Sequence, residues 1–220
     1  MRIVLFSGGY WKDNQNLLSA LWCHRENQAR NLVYIPAWYG DECKKDFDQF
    51  TRQLKKSSIQ KFTYFPLDRK LKPHDYKDLK NADIIFLDGG NTYFLLHYLK
   101  EHKLIEWFKK NKKNKVFAGL SAGAIVLSPN INMAAIPKDE ADEPMFDENP
   151  ESCKLVNFEI YPHFENSVKN NKEVLKYSTS NSNLILAIPD GSGLVIDEDK
   201  TVMFGSVFGF FQGKKFKIQS

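Results

Sequence analysis

Residues 116–126 read VFAGLSAGAIV, and this segment decides which fold we expect. A short apolar run, a serine between two glycines and a helix-compatible run are typical of a strand that turns sharply into a helix. Such a turn exposes the serine hydroxyl, and the small residues beside it let the backbone bend. The first N–H groups of the helix point at the same place, which suits a developing oxyanion. We therefore predict a strand, a strained turn at Ser121 and a helix.

Apolar runs alternate with helix-period segments over residues 1–127. The predicted strands are Ile3–Phe6, Leu32–Ala37, Phe62–Phe65, Ile84–Leu87 and Val116–Ala118. The predicted helices lie near Asn14–Glu26, Asp41–Lys56, Thr92–Leu99 and Leu104–Asn111. Strands that are apolar on both faces and alternate with helices predict a mostly parallel sheet that helices cover on each side. With right-handed crossovers this is a three-layer, doubly wound α/β fold, in which ligands bind at the carboxyl ends of the strands.

The pattern changes after Pro129. Residues 139–151 hold seven acidic residues and no basic one, which indicates either a mobile lid or a solvated surface loop. A helical pattern follows, and then short strands that we interpret as C-terminal β-hairpins closing the sheet edge. The helix is predicted at Ser167–Thr179, and the strands at Leu184–Ile188, Leu194–Ile196, Thr201–Phe204 and Phe216–Ile218. Because neither a linker nor a repeat interrupts the chain, we expect one domain over residues 1–220.

Composition narrows the classes of protein that fit. With 42% hydrophobic and 26% charged residues and a net charge of +4, the 220-residue chain is typical of a globular domain. The lysine-rich residues 109–115 contain no aromatic side chain, so a solvated helix end is favoured over a nucleic-acid patch. Three distant cysteines (Cys23, Cys43 and Cys153) argue against disulfides and zinc. Since no signal peptide or membrane span is evident, we expect a cytoplasmic protein that binds neither nucleic acid nor membrane.

A serine hydroxyl becomes a nucleophile only when a neighbouring base takes its proton. His163 is the leading candidate, because it is the only histidine after Ser121 and it follows a strand-like run that Pro162 ends. The other histidines are predicted to be structural or solvated. Two of them lie in helical patterns, one lies at a helix junction and one lies in a polar connector: His24, His97, His102 and His74.

The base needs an acid to orient it, and the oxyanion needs two N–H donors. Asp190, in the turn after Leu184–Ile188, is the favoured acid, while Glu165 and the acids of residues 139–151 remain alternatives. Ala122 and Gly90 are the predicted oxyanion donors. Asn91 is predicted to start a helix as its N-cap and to contact the substrate.

Three motifs in this order resemble the dipeptidase E family of serine peptidases, which includes alpha-aspartyl dipeptidases and cyanophycinase. They are DIIFLDGGNT at residues 83–92, GLSAGA at residues 119–124 and PHF at residues 162–164. The resemblance covers nearly the whole chain. It implies a fold like the class I glutamine amidotransferase domain, with serine in place of cysteine. It also implies a triad in the chain order Ser121, His163, Asp190, although the family's acid is commonly Glu.

One departure from the family bears on the substrate. Aspartyl dipeptidases use an arginine downstream of the histidine to bind an N-terminal aspartate, and this chain has no arginine after His163. Lys169 and Lys172 carry charge but lack the bidentate fork that suits a carboxylate. We therefore do not expect a dedicated aspartyl dipeptidase.

The favoured hypothesis is a serine peptidase that hydrolyses short peptides without a metal or a cofactor. An esterase or amidase with a non-peptide substrate is the second hypothesis. A non-catalytic sensor or binding protein that keeps the fold is the third. The oligomeric state stays open, with a homodimer as one option. A nucleotide site at Ser7-Gly8-Gly9-Tyr10 is disfavoured, because the spacings of the known phosphate loops are absent.

Overall fold

The structure is a computed structural model that describes residues 1–23, 30–136, 138, 141–146, 149–198 and 200–218. Its strands are β1 (Arg2–Phe6), β2 (Asn31–Ala37), β3 (Lys61–Tyr64), β4 (Ile84–Gly90), β5 (Val116–Leu120), β6 (Glu159–Tyr161), β7 (Ile185–Ala187), β8 (Gly193–Asp197), β9 (Lys200–Phe204), β10 (Val207–Phe211) and β11 (Lys214–Ile218). Its α-helices are α1 (Gln15–Ala20), α2 (Asp41–Gln53), α3 (Pro73–Asn81), α4 (Thr92–Glu101), α5 (Leu104–Asn111), α6 (Ala122–Val126) and α7 (Val168–Ser180). A 3₁₀ helix covers Asn132–Ala135.

A seven-stranded sheet in the order β3-β2-β4-β5-β1-β8-β9 forms the centre of the fold. The first five of these strands are parallel, and the β8–β9 hairpin adds antiparallel strands at the β1 edge. Their sequences are apolar on both faces because helices cover both sides of the sheet. The mostly parallel α/β sheet predicted from the sequence is confirmed.

The two faces of the sheet bury separate cores. On one face α1 and α2 pack against β1, β2, β4 and β5, and stacked aromatic rings such as Tyr34 and Phe86 fill the space between them. On the other face α3, α4, α5 and α6 contribute the apolar side chains. Three layers result, as the alternating pattern predicted.

A second, four-stranded sheet in the order β11-β10-β7-β6 corrects the prediction for the C-terminal region. We expected Leu184–Ile188 and Phe216–Ile218 to close the edge of the main sheet, but they lie in this separate sheet. Only the hairpin formed by β8 and β9 closes the β1 edge. The second sheet pairs β6 with β7 in parallel, and α7 packs against its β10 and β11 strands. Its small core contains Phe164, the neighbour of His163.

Two helix predictions also need correction. The helix predicted near Asn14–Glu26 ends at Ala20, and the last part of that range, with His24, lies outside the described residues. The segment around His74, predicted as a polar connector, contains helix α3. Its only buried apolar residue is Leu79, so it shows no helical stripe of apolar residues.

Two smaller expectations can be compared with the described residues. All three cysteines are free thiols, with Cys23 exposed and the others buried. None of the helices in the described ranges combines the length and apolar character that crossing a membrane requires.

Candidate active site

The carboxyl ends of three adjacent strands (β4, β5 and β1) meet at one edge of the main sheet. Ser121 follows β5 directly and has φ 49° and ψ −110°. This conformation lies outside the regions that non-glycine residues favour, and such strain clusters at functional sites. The serine lies between β5 and α6, at the sharp strand–helix turn that the sequence predicted.

The turn is possible because Gly123 has no side chain. A Cβ atom built there would lie 2.0 Å from the Leu87 carbonyl oxygen of β4. Any side chain at this position would therefore push α6 away from the sheet. The close packing keeps Ser121 near the end of β4.

The hydroxyl of Ser121 belongs to a line of hydrogen bonds. His163 Nε2 lies 2.8 Å from Ser121 Oγ, and His163 Nδ1 lies 2.7 Å from Asp190 Oδ1. Because a carboxylate only accepts hydrogen bonds, Nδ1 carries the proton and donates it to Asp190. Nε2 is then the unprotonated nitrogen, and it accepts the hydrogen bond from the Ser121 hydroxyl.

Of the candidate acids that the structure describes, Asp190 is the one that hydrogen-bonds to His163. Glu165 lines the same cavity, but no hydrogen bond joins it to the imidazole among those of the described residues. Asp142, the member of the acidic stretch that lines the cavity, accepts a hydrogen bond from the backbone N–H of Thr92 at 2.7 Å. The other members of this stretch that the structure describes are Glu143 and Glu151.

These side chains open onto a cavity of about 590 Å³. Its lining consists of Thr92, Ser121, Ile125, Met133, Ala134, Ile136, Asp142, Tyr161, Pro162, His163, Phe164, Glu165, Pro189 and Asp190. Three carboxylates belong to this lining, whereas lysine and arginine are absent from the part of it that the structure describes. Met133 and Ile136 had no signal in the sequence, since they come from a 3₁₀ helix and its end rather than from a motif.

The predicted oxyanion donors lie on either side of the turn. Ala122 is the first residue of α6, so its N–H has no acceptor within the helix. Gly90 ends β4 with φ 138° and packs against Ala37 of β2. The preceding glycine lies beside the serine, since a Cβ built on Gly89 would be 3.6 Å from Ser121 Cβ. The role of Gly90 stays a prediction.

Asn91 caps helix α4, as the sequence predicted. Its Oδ1 accepts from the Phe94 backbone N–H at 2.9 Å, and its Nδ2 donates to the Glu143 carbonyl at 2.8 Å. The bond to Glu143, together with the one from the Thr92 N–H to Asp142, fastens residues 142 and 143 to the start of α4. Asn91 itself is not part of the cavity lining, and its predicted contact with substrate stays a prediction.

The pKa of Asp88 in β4 is raised well above its usual value. Burial raises its pKa to about 6, although hydrogen bonds from the Tyr34 hydroxyl and the Gly89 backbone N–H act in the opposite direction. Burial and the nearby charge of Asp88 likewise raise the pKa of Tyr34. The pair lies on the face of the sheet that α1 and α2 cover, where Tyr34 packs among aromatic rings.

No group of three or more potential metal-ligating side chains is found within the described ranges.

The arrangement at Ser121 can activate a hydroxyl for attack on a carbonyl carbon, because the hydroxyl, imidazole and carboxylate are already aligned.

Comparison with known proteins adds the family context. The family model described as Peptidase family S51 matches residues 3–204. Peptidase E of a Nostoc species is 28% identical over 138 residues, which is 58% of this chain and 54% of that protein. Peptidase E of Actinobacillus pleuropneumoniae is 24% identical over 217 residues, which is 93% of this chain and 89% of that protein. The chain therefore spans about half the length of the first relative and most of the second.

A solved structure from Listeria monocytogenes EGD-e, whose name assigns it to peptidase E, has the same fold. It superposes with a TM-score of 0.71 at 22% sequence identity, and the superposition covers 92% of this chain and 97% of the Listeria chain.

Proposed function

Because the chain belongs to peptidase family S51, we propose that it is a serine peptidase that hydrolyses short peptides. The observation that carries this proposal is the line of hydrogen bonds from Ser121 Oγ through His163 to Asp190, at the wall of a cavity. The mechanism is acyl transfer.

Ser121 Oγ attacks the carbonyl carbon of the scissile peptide bond, and its proton moves to His163 Nε2. Asp190 accepts the hydrogen bond from Nδ1 and stabilises the imidazolium that forms. The N–H groups of Ala122 and Gly90 stabilise the oxyanion. His163 then gives its proton to the leaving amine, so the C–N bond breaks and an acyl-serine remains. A water molecule, deprotonated by the same imidazole, hydrolyses this ester and regenerates Ser121.

The charge of the cavity bears on substrate choice. Asp142, Glu165 and Asp190 contribute carboxylates to its lining, and the chain has no arginine after His163. A carboxylate on the substrate would lose water without gaining a cation, and like charges would repel it. An ammonium group, such as the free α-amine of a peptide or a lysine side chain, fits better. We therefore propose substrates with a neutral or basic N-terminal residue.

A hydrolysis screen on a dipeptide library tests the function, with wild-type protein and Ser121→Ala in parallel. The proposal requires peptide cleavage that Ser121→Ala lacks. Turnover of p-nitrophenyl esters without peptide cleavage would replace it with the esterase hypothesis. No hydrolysis of either class would favour a binding protein.

A further inference from the structure

The segment after β1 lies directly against the pair formed by His163 and Asp190. Ser7 is fully buried. Its hydroxyl donates to the carbonyl of Ile188 at 2.6 Å, because a carbonyl can only accept, and its oxygen accepts the backbone N–H of His163 at 2.7 Å. One hydroxyl group thus joins the segment that carries His163 to the segment that ends at Asp190.

The backbone at His163 needs such support. Its φ of 54° is left-handed, a conformation that residues with a side chain adopt infrequently. The next residue is held in the same way, since the Phe164 N–H donates to the Ile188 carbonyl at 3.1 Å. The Ile188 carbonyl therefore accepts from Ser7 and from Phe164, and together these bonds fix the direction in which the imidazole leaves the backbone.

Gly8 provides the space for the imidazole and the carboxylate. A Cβ atom there would lie 2.2 Å from His163 Cε1 and 2.5 Å from both His163 Nδ1 and Asp190 Oδ1. The Gly8 carbonyl also accepts the Gly191 N–H at 3.0 Å, which holds the turn directly after Asp190. The Gly8 backbone thus forms a wall against which the hydrogen bond between His163 and Asp190 rests.

We propose that Ser7 and Gly8 are positioning residues for the His163–Asp190 pair. The inference rests on the proposed function for its effect on rate, but the geometry it describes can be measured without any substrate. Neither residue supplies a group that takes part in the reaction. Ser7 fixes the backbone of the base, and Gly8 keeps the imidazole and the carboxylate at hydrogen-bond distance.

Gly8→Ala is the decisive variant, because its Cβ would contact side-chain atoms that can move. We expect kcat to fall about 100-fold, as expected for a displacement of about 1 Å at a reacting group, with KM little changed. The rate of fluorophosphonate labelling should fall in parallel. Gly209→Ala is the matched control, since its Cβ would also meet a side chain (Phe216 Cε2 at 2.3 Å), but neither residue belongs to the cavity lining.

Ser7→Ala removes both hydrogen bonds of this hydroxyl, to the Ile188 carbonyl and from the His163 N–H, and we expect kcat to fall about 10-fold. Ser178→Ala is its control. The Ser178 hydroxyl is also fully buried, donates to the Leu175 carbonyl and accepts the Gly213 N–H, but it lies in α7. Thermal unfolding of all four variants shows whether they fold. If Ser7→Ala does not fold, the comparison of Gly8→Ala with Gly209→Ala decides the inference.

The ¹⁵N shifts of the His163 imidazole, assigned by their absence in His163→Gln, report the geometry directly. We expect the Nδ1–H tautomer in the wild type and a mixture of tautomers in Gly8→Ala. The inference would be overturned if Gly8→Ala kept the kcat and the ¹⁵N shifts of the wild type. It would also be overturned if the controls Gly209→Ala and Ser178→Ala lost as much kcat as Gly8→Ala and Ser7→Ala. A wild type that shows the tautomer but is inactive and unlabelled would contradict the proposed function instead.

Discussion

Asp88→Asn is expected to make the protein more stable at neutral pH. The pKa of this buried carboxyl rises from the usual 3.8 to about 6 because burial disfavours its charged form. The folded protein therefore binds the proton more tightly than the unfolded chain does. The corresponding stability is fully present below about pH 4 and is lost as the pH rises through about 6. The cost of ionisation is about 3 kcal/mol at about 1.36 kcal/mol per pH unit.

An amide avoids this cost, and its oxygen can still accept the hydrogen bond from the Tyr34 hydroxyl. We expect Asp88→Asn to raise the free energy of unfolding by up to about 3 kcal/mol at pH 7.5 and by much less at pH 4. Urea unfolding, followed by tryptophan fluorescence at both pH values, measures the difference. Asp48→Asn, at an exposed position of helix α2, is the control, because it makes the same substitution without changing a buried group. A variant less stable than the wild type at pH 7.5, or a difference that does not change with pH, would contradict the raised pKa of Asp88.

Other predictions concern the reaction. Asp190→Asn should lower kcat by about 10⁴-fold, because an amide favours the wrong imidazole tautomer. Glu165→Gln should change kcat little. The reverse result would show that Glu165 is the acid of the triad. The kcat/KM values for Ala-Leu and Lys-Leu should equal or exceed the value for Asp-Leu. A preference for Asp-Leu above about tenfold, which is about 1.4 kcal/mol, would contradict the substrate proposal and direct attention to Lys169 and Lys172.

The main sheet could be predicted because its strands are buried on both faces. Continuous apolar runs such as residues 32–37 and 84–87 therefore stand out from the helical segments between them. The second sheet could not be predicted in the same way. Strands β6 and β7 are only three residues long, and β10 (Val207–Phe211) is absent from the strands that the sequence predicts. Which sheet a short strand joins depends on contacts between distant parts of the chain.

The residues of the candidate site also differ in whether a local sequence pattern predicts them. Ser121 stands at a local turn whose glycines are visible in the sequence, and His163 follows a strand end. The contact of Ser7 with His163 joins residues 156 positions apart, so no local pattern predicts it. By itself, the Ser-Gly-Gly run after β1 suggests only a phosphate loop with the wrong spacing. Its small residues instead make room for side chains from the other half of the chain.

Covalent labelling identifies the nucleophile without any knowledge of the substrate. The wild-type protein would be treated with a fluorophosphonate, digested and analysed by mass spectrometry to locate the modified residue. We expect a single adduct on the peptide that contains Ser121, and no adduct on a folded Ser121→Ala variant, because the Ser121 hydroxyl lies at hydrogen-bond distance from His163 Nε2, the proposed base. An adduct on a different serine, or labelling that persists in Ser121→Ala, would contradict the account.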